Sequence, residues 1–230
     1  MADALTREAF QTPHGRRRAW RELTLSDHGF IRAIYDNSHE IAPGVFRSAQ
    51  PGPRRLRQWR DRGVNSVLNL RGPRESGILF LEEDACERLE IKHVPFRVYS
   101  REAPSPDVLH GARRLFAETE PPFLMHCKSG ADRVGLMATL YDFFVAGKPL
   151  PVALRQLSLR YGHIRFGKTG VIDAAFDEYI LFAEERGVAL DDVEAFFDWV
   201  DGPYDHDATK ARFRSNWLGD LLTERVLRRE

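Results

Sequence analysis

Short apolar segments alternate with amphipathic helical segments between residues 45 and 144, and this alternation limits the fold most. Strands are predicted at 45–48, 64–70, 91–98 and 123–125. Each strand is followed by a segment whose apolar residues have helical spacing. Strands joined by helices form a mostly parallel sheet with helices on both faces. We therefore expect an α/β fold with a central sheet flanked by helices and a helical C-terminal half from Arg133 onward.

The chain is predicted to hold one catalytic domain with an extension at each end. Its 230 residues, of which 43% are hydrophobic, suffice for a sizeable core. Residues 1–44 are expected to form an irregular arm with one short helix near residues 30–35. Residues 45–190 would form the domain, and residues 191–230 a helical extension packed on it.

Charge and cysteine content exclude several classes of protein. Basic and acidic residues number 34 each, so no net field recruits nucleic acid or a membrane. Two cysteines cannot form a disulfide framework, and no apolar run approaches the roughly 20 residues that span a bilayer. The N-terminus lacks the apolar region of a signal peptide. We expect a soluble cytoplasmic protein without a nucleic-acid partner or an integral membrane segment, which leaves peripheral membrane contact open.

The overall charge balance hides two local runs of one sign. The first 60 residues are rich in arginine and include Arg16, Arg17 and Arg18 in succession, whereas residues 184–207 are rich in acids. Such runs are most often solvated faces. The alternative is that the basic arm meets an anionic surface or substrate.

The chemistry is concentrated in residues 126–133, which are His-Cys-Lys-Ser-Gly-Ala-Asp-Arg. A buried strand runs into the cysteine and a helix begins at the arginine, so Cys127 lies at the carboxyl end of a parallel strand, where α/β sheets bind ligands. Backbone N–H groups in such a turn form an anion nest, and the helix adds its positive end. Both stabilise a thiolate at Cys127 and a phosphoryl group beside it, which Arg133 would bind bidentately.

At these residues the chain resembles the cysteine-dependent protein tyrosine phosphatase superfamily, on its dual-specificity side. The signature is His126-Cys127-x-x-Gly130-x-x-Arg133. Weaker similarity extends to residues 46–51 and 67–71, which match elements of small bacterial members. The resemblance covers about residues 45–165. It implies a phosphatase-like fold and phosphomonoester hydrolysis without a metal or another cofactor.

The resemblance also implies a role for each residue of the loop. Cys127 would be the nucleophile of a phosphocysteine intermediate, and Arg133 would clamp the phosphate. His126 would orient the loop by hydrogen bonding. The residues assigned to substrate binding are His126, Lys128, Ser129, Gly130 and Ala131. The family often has a hydroxyl residue directly after the arginine that assists the departing thiolate. This chain has Val134 there, so breakdown of the intermediate is expected to be slow.

The general acid is left open among three carboxylates. Glu102 lies on the loop that carries the acid in the family, but it is one methylene longer than the usual aspartate. Asp132 lies within the cradle, as in certain bacterial and lipid-directed relatives, and the alternative for it is a salt bridge that braces the loop. Asp107 more readily caps the helix that it begins.

Further basic residues bear on the substrate. Lys128 is expected at the pocket rim, and a downstream cluster is expected near its mouth or as ordinary surface charge. Its members are Arg160, His163, Arg165 and Lys168. Arg47 and Arg71 end strands and are further candidates for the rim. The substrate is then a phosphorylated protein or a small or lipid phosphate.

Two other functions compete with phosphate ester hydrolysis. One is a phosphate-binding module that has lost turnover, and the other is sulfur transfer by a rhodanese-type cysteine loop. Cys86 is expected to be an inert core thiol, with a disulfide to Cys127 as the alternative. Because the histidines are scattered, no metal site is expected.

Overall fold

The computed structural model describes residues 5–26 and 36–215 and has a five-stranded sheet at its centre. The strands are β1 (His39–Ala42), β2 (Val45–Ala49), β3 (Ser66–Asn69), β4 (Lys92–Pro95) and β5 (Phe123–Cys127). Their order across the sheet is β1-β2-β5-β3-β4. β1 pairs with β2 in antiparallel fashion, and the other neighbours are parallel. The predicted α/β fold with a mostly parallel sheet is confirmed.

Helices precede the sheet, connect its strands and make up the C-terminal half. They are α1 (Arg7–Phe10), α2 (Pro13–Arg21), α3 (Pro53–Asp61), α4 (Gly77–Arg88), α5 (Pro106–Ala117), α6 (Asp132–Phe144), α7 (Leu150–Ala153), α8 (Val171–Arg186) and α9 (Val193–Asp201). A π-helical turn covers Glu22–Ser26, and 3-10 turns cover Leu154–Gln156, Leu159–Tyr161 and Lys168–Gly170. Residues 206–215 are also helical. No helix within the described ranges has the length and apolar character needed to cross a bilayer.

β5 is the central strand, and its register fixes where the candidate cysteine lies. Ala49 of β2 faces Cys127 on one side, and Asn69 of β3 faces His126 on the other. All five residues of β5 are buried, as expected for a parallel strand covered on both faces. α6 leaves the same edge and is buried from Val134 to Phe143. Cys127 is therefore held at the end of a fully buried strand, a few residues before a largely buried helix.

The N-terminal segment is more ordered than the irregular arm that the sequence predicted. α1 and α2 pack on α4 through a cluster that includes Phe10, Ala19 and Phe80. Thr12 caps α2 by accepting a hydrogen bond from the Gly15 N–H at 3.0 Å, and a proline follows the cap at the first helical position. These are local helix-start signals, and they outweigh the polar composition. The helix predicted near residues 30–35 lies outside the described residues.

The basic run of this segment is partly engaged within the molecule. Arg16 forms two hydrogen bonds to Asp84 of α4, at 3.1 and 2.9 Å, and Arg7 pairs with Glu83. β1, also within residues 1–44, forms an edge of the sheet. The segment is thus joined to the sheet and to α4. The domain limits at residues 44 and 190 stay predictions.

The C-terminal helices share the main core. Phe196 of α9 packs against Phe143 of α6 and Tyr179 of α8, with ring centroids 5.5 and 4.9 Å away. The acidic run faces basic residues of α5, since Glu194 pairs with Arg113. Asp201 of the same run hydrogen-bonds His110 at 2.6 Å. Burial of aromatic rings therefore attaches α9 to the sheet domain.

Candidate active site

Four residues connect β5 to α6, which gives the strand–loop–helix unit that the sequence predicted. Cys127 is the last residue of β5 and Asp132 is the first of α6. Cys127 is buried, Ser129 is exposed, and Lys128 and Arg133 are partly exposed. The loop therefore has a buried sulfur at one end and a cationic side chain at the other.

Arg47 lies buried beneath the loop and not on its rim. Its Nη2 donates to the carbonyl oxygens of Gly130 and Ala131 at 2.9 and 3.3 Å. Its Nη1 donates to the backbone and side-chain oxygens of Gln156 at 2.9 and 2.8 Å. The Tyr161 ring covers the guanidinium at 4.0 Å. The predicted rim position is wrong because β2 is an inner strand, so a side chain in its middle meets protein on either face.

Asn37 and Gln50 hold the first half of the loop. Asn37 Nδ2 donates to the carbonyl oxygens of Ser129 at 3.2 Å and of Tyr161 at 2.9 Å. The backbone N–H of Gln50 donates to the Lys128 carbonyl at 3.4 Å. Asn37 has a φ of 49°, in the left-handed region that asparagine tolerates better than most residues. Sequence reasoning did not select either residue for the site.

These contacts fix the direction of the loop amides. The carbonyls of residues 128–131 all accept hydrogen bonds from Arg47 of β2, from Gln50 directly after it, or from Asn37, which precedes β1. In a trans peptide the N–H points away from the carbonyl of the same unit, so the N–H groups of residues 129–132 face away from β2. Successive amides turned to one side form an anion nest. Ala131, the N-cap of α6, has no polar side chain to occupy the first-turn N–H groups, which adds to the nest.

Position 130 requires glycine for two reasons, its backbone conformation and the closeness of neighbouring backbone atoms. Its φ is +74°, and a Cβ there would lie 2.6 Å from the Ala49 nitrogen and 2.8 Å from the Ser48 carbonyl carbon. Both atoms are backbone, so neither can rotate away. The loop therefore lies against the end of β2 as closely as two main chains can.

A buried cluster of Glu82, His93 and His126 lies at the start of the loop. Glu82 of α4 accepts hydrogen bonds from His126 Nε2 at 2.8 Å and from His93 Nε2 at 2.9 Å. Burial alone would raise the pKa of Glu82, but the two histidines outweigh it and hold this pKa far below its ordinary value. The His126 ring is fully buried and bonded to Glu82, so it is placed among the supports of the loop and not among groups facing a ligand. Glu82 was missed because in the sequence it is the first of three consecutive acids that follow the apolar residues at the start of α4.

The structure separates the three candidate acids. Asp132 lies at the start of α6, and its Oδ1 is 2.8 Å from His163 Nδ1. Glu102 forms an ion pair with Lys210 of the final helical stretch. Asp107 lies in the first turn of α5, whose cap is Ser105. The prediction that Asp107 caps this helix is wrong, because Pro106 occupies the first helical position and moves the cap one residue earlier.

The predicted basic cluster divides into buried and exposed parts. His163 is buried between Asp132 and Asp173, so it is not part of the rim. Arg165 pairs with Asp177. The same segment exposes three apolar side chains, which are Leu159 at 78%, Ile164 at 54% and Phe166 at 89%. Arg71, the other rim candidate, bonds the Gln50 side chain.

The second cysteine lies away from this loop. Cys86 is buried in α4, where burial above all, with the charge of Glu82, raises the pKa of its thiol far above the ordinary value. Cys86 and Cys127 are both free thiols, so they do not form the disulfide that was the alternative for Cys86. The described residues contain no group of three or more side chains placed to hold a metal ion.

Comparison with known proteins gives one sequence match and several similar folds. No family model matches the chain. Proteins named dual specificity protein phosphatase TpbA, from two strains of Pseudomonas aeruginosa, are 30% identical over 127 residues. The alignment covers 53% of this chain and 53% of each relative, so the chain spans about half the length of the curated relatives it matches.

Solved structures share the fold at lower identity. Tk-PTP in its active form aligns with a TM-score of 0.50 and 21% identity, covering 62% of this chain and 97% of that one. P. aeruginosa TpbA in complex with pTyr aligns with a TM-score of 0.46 and 24% identity, covering 56% and 76%. PTPMT1 in complex with PI(5)P aligns with a TM-score of 0.46 and 20% identity, covering 64% and 99%.

Proposed function

Because this chain belongs to the cysteine-dependent protein tyrosine phosphatase superfamily, and within it to the bacterial dual-specificity-like type, we propose that it hydrolyses phosphomonoesters through a phosphocysteine intermediate. The observation that carries the proposal is the orientation of the 128–131 carbonyls toward Arg47, Asn37 and the Gln50 amide. That orientation leaves the loop N–H groups for an oxyanion next to the sulfur of Cys127.

The reaction has two displacement steps. In the first, the Cys127 thiolate attacks phosphorus, the S–P bond forms, and the ester P–O bond breaks as its oxygen takes a proton from a general acid. In the second, water attacks phosphorus and gives a proton to the carboxylate that the first step left deprotonated, the S–P bond breaks, and phosphate and the thiolate are released. Arg133, in the first turn of α6, binds two phosphoryl oxygens in both steps. Charge stabilisation by the nest, the helix end and this guanidinium supplies most of the catalysis.

The test compares two cysteine variants on an aryl phosphate. We expect Cys127→Ser to abolish hydrolysis, because serine at this position is a far weaker nucleophile than a thiolate. Cys86→Ser removes the other, buried thiol and should retain activity, which makes it the matched control. Orthovanadate should inhibit the wild type, and mass spectrometry of the quenched enzyme should find a phosphoryl group on the peptide that carries Cys127.

Three results would contradict the proposal. Turnover that survives in Cys127→Ser would exclude the covalent route. A folded wild type that binds phosphate but turns over no phosphomonoester would favour the phosphate-binding module, and transfer of sulfur without phosphatase activity would favour the rhodanese-type reaction.

A phosphorylated lipid headgroup is the second candidate substrate, and one surface observation favours it over a phosphoprotein. Leu159, Ile164 and Phe166 are exposed on a segment that lies close to the loop. Its Tyr161 carbonyl and the Ser129 carbonyl accept hydrogen bonds from the same Asn37 amide, and its His163 bonds Asp132 at the start of α6. Arg160 and Lys168, both exposed, lie on the same segment. Apolar side chains interleaved with bases are the pattern of surfaces that enter an anionic lipid interface.

This candidate is tested by presenting one headgroup in two forms. We expect a phosphoinositide in vesicles to be hydrolysed faster than the soluble inositol phosphate with the same headgroup, and Phe166→Ser to lower only the vesicle rate. Equal rates on both forms, with faster hydrolysis of phosphopeptides, would assign the enzyme to protein substrates instead.

A further inference from the structure

His163 joins the first turn of α8 to the first residue of α6, directly after the phosphate-binding loop, through two hydrogen bonds. Its Nδ1 lies 2.8 Å from Asp132 Oδ1, and its Nε2 lies 2.7 Å from Asp173 Oδ2. The imidazole is fully buried, the Asp173 carboxylate is nearly so, and the Asp132 carboxylate is 23% exposed. Asp132 and Asp173 each lie in the first turn of a helix, α6 and α8, where the helix dipole favours a carboxylate.

This arrangement specifies the protonation state of the ring. A neutral imidazole has one N–H, whereas an ionised carboxylate can only accept a hydrogen bond. With a carboxylate oxygen at each nitrogen, both contacts are satisfied by an imidazolium. Burial lowers the pKa of His163, but the hydrogen bonds to Asp132 and Asp173 outweigh it and raise this pKa to about 9.

We propose that His163 is a positioning residue of the phosphate-binding loop, which holds the Asp132 carboxylate as a hydrogen-bond acceptor beside Arg133 and so keeps it from acting as the donor of the leaving-group proton. The inference rests on the proposed phosphatase function. It leaves Glu102 and Asp107 as candidate acids, and the Glu102–Lys210 pair does not prevent Glu102 from acting, since it is partly exposed and such pairs are weak.

The charge of the ring also matters for substrate binding. A carboxylate within a loop that receives a dianion opposes binding, and an imidazolium in contact with that carboxylate offsets its charge. The charged groups that face His163 are Asp132 from α6 and Asp173 from α8. Loss of the ring proton therefore adds one uncompensated negative charge next to the bound phosphate.

The experiment measures inhibition by inorganic phosphate, together with KM and kcat for an aryl phosphate, from pH 6 to pH 10. The wild type should lose phosphate affinity with a midpoint near pH 9. His163→Gln should raise KM and the phosphate inhibition constant about tenfold at neutral pH, with a smaller change in kcat, and should lose that alkaline transition. His110→Gln removes a surface histidine–aspartate pair and should behave as wild type.

A direct titration makes the result independent of activity. Nitrogen-15 NMR of the His163 ring in the wild type should give a midpoint near pH 9. In Asp173→Asn the midpoint should move to lower pH, because one of the carboxylates that raise this pKa is gone. If His163→Gln does not fold, the titrations of the wild type and of Asp173→Asn still show whether the two carboxylates hold the His163 ring protonated.

The outcomes separate this inference from the proposed function. A ring that titrates near its ordinary value of 6.5, or an active His163→Gln with unchanged KM and alkaline transition, would overturn the inference while the phosphatase assignment stands. A wild type that titrates and binds phosphate as expected, yet hydrolyses no ester, would overturn the assignment alone.

Discussion

Two buried residues of this site act by holding other groups in place, Arg47 the loop carbonyls and His163 the Asp132 carboxylate. Arg47 and His163 are both buried, and each contacts the loop from a different side. Arg47 bonds main-chain carbonyls and so determines the direction of the amides. His163 bonds a side-chain carboxylate and so determines its charge. The chemistry assigned to Cys127 and Arg133 thus depends on residues that do not contact a substrate themselves.

Glu102 and Asp132 are distinguished by the leaving group of the substrate. If Glu102 protonates the leaving oxygen, Glu102→Gln should slow hydrolysis of an alkyl phosphate by about 10²–10⁴-fold and change an activated aryl phosphate far less. Asp132→Asn should show no such dependence on the leaving group. The measurement is kcat/KM for a series of esters with leaving groups of increasing basicity. A steep dependence in Asp132→Asn alone would reverse the assignment.

Val134 bears on the second displacement step. It is buried directly after Arg133 and cannot donate a hydrogen bond to the departing sulfur. We therefore expect breakdown of the phosphoenzyme to be slower than its formation, so that rapid-quench experiments show a burst of the released alcohol. Val134→Thr should reduce the burst and raise the steady-state rate. A wild type without a burst would mean that the first step is rate-limiting.

At the scale of elements, β2 is the support on which the loop rests. Its register with β5 sets Ala49 opposite Cys127, and Gly130 lies in contact with its last residues. Arg47, in the middle of this strand, reaches under the loop to Gly130 and Ala131. A change in β2 therefore changes the loop without altering any residue between Cys127 and Arg133.

Replacement of Arg47 tests this support. Arg47→Met leaves several buried carbonyls without donors, so we expect a loss of about 2–5 kcal/mol in the free energy of unfolding and weaker binding of vanadate. Arg47→Lys keeps the charge but loses the forked geometry of the guanidinium. Its free energy of unfolding and its vanadate affinity should lie between those of the wild type and Arg47→Met. Arg57→Met, on the exposed face of α3, is the control. Denaturant unfolding and vanadate titration measure both effects, and full vanadate affinity in a folded Arg47→Met would contradict the role of Arg47.

The local unit around the cysteine could be predicted from sequence, whereas its supports could not. The apolar run before Cys127, the glycine and the helical spacing after Arg133 are signals within one short segment. Arg47 and Gly130 are 83 positions apart, and Glu82 and His126 are 44 apart, so their contacts depend on how elements pack. α2 differs, because its start is marked in the sequence itself by the capping residue Thr12 and by Pro13 at the first helical position, and it could therefore have been predicted.

For the whole molecule, the His163 cluster couples stability to pH. The pKa of His163 in the folded state is about 9, above its ordinary 6.5, so its contribution to the free energy of unfolding is complete below about pH 6.5 and is lost as pH rises through 9. We expect the wild type to lose up to about 3 kcal/mol more than His163→Gln between pH 6.5 and 9.5. Urea unfolding at both pH values measures this. Equal losses in the two proteins would show that the ring does not carry this dependence.

The contact of Glu102 with Lys210 has a counterpart nearby, since the Tyr204 hydroxyl donates to the Pro104 carbonyl at 2.8 Å. Both contacts connect the Glu102 loop to residues about a hundred positions later in the sequence. A ribosome makes the chain from the N-terminus, so the cysteine, its glycine and Arg47 all emerge before Tyr204 and Lys210 do. A nascent chain can thus assemble the anion nest before it gains the support of the Glu102 loop, since that support comes from residues made about a hundred positions after Pro104.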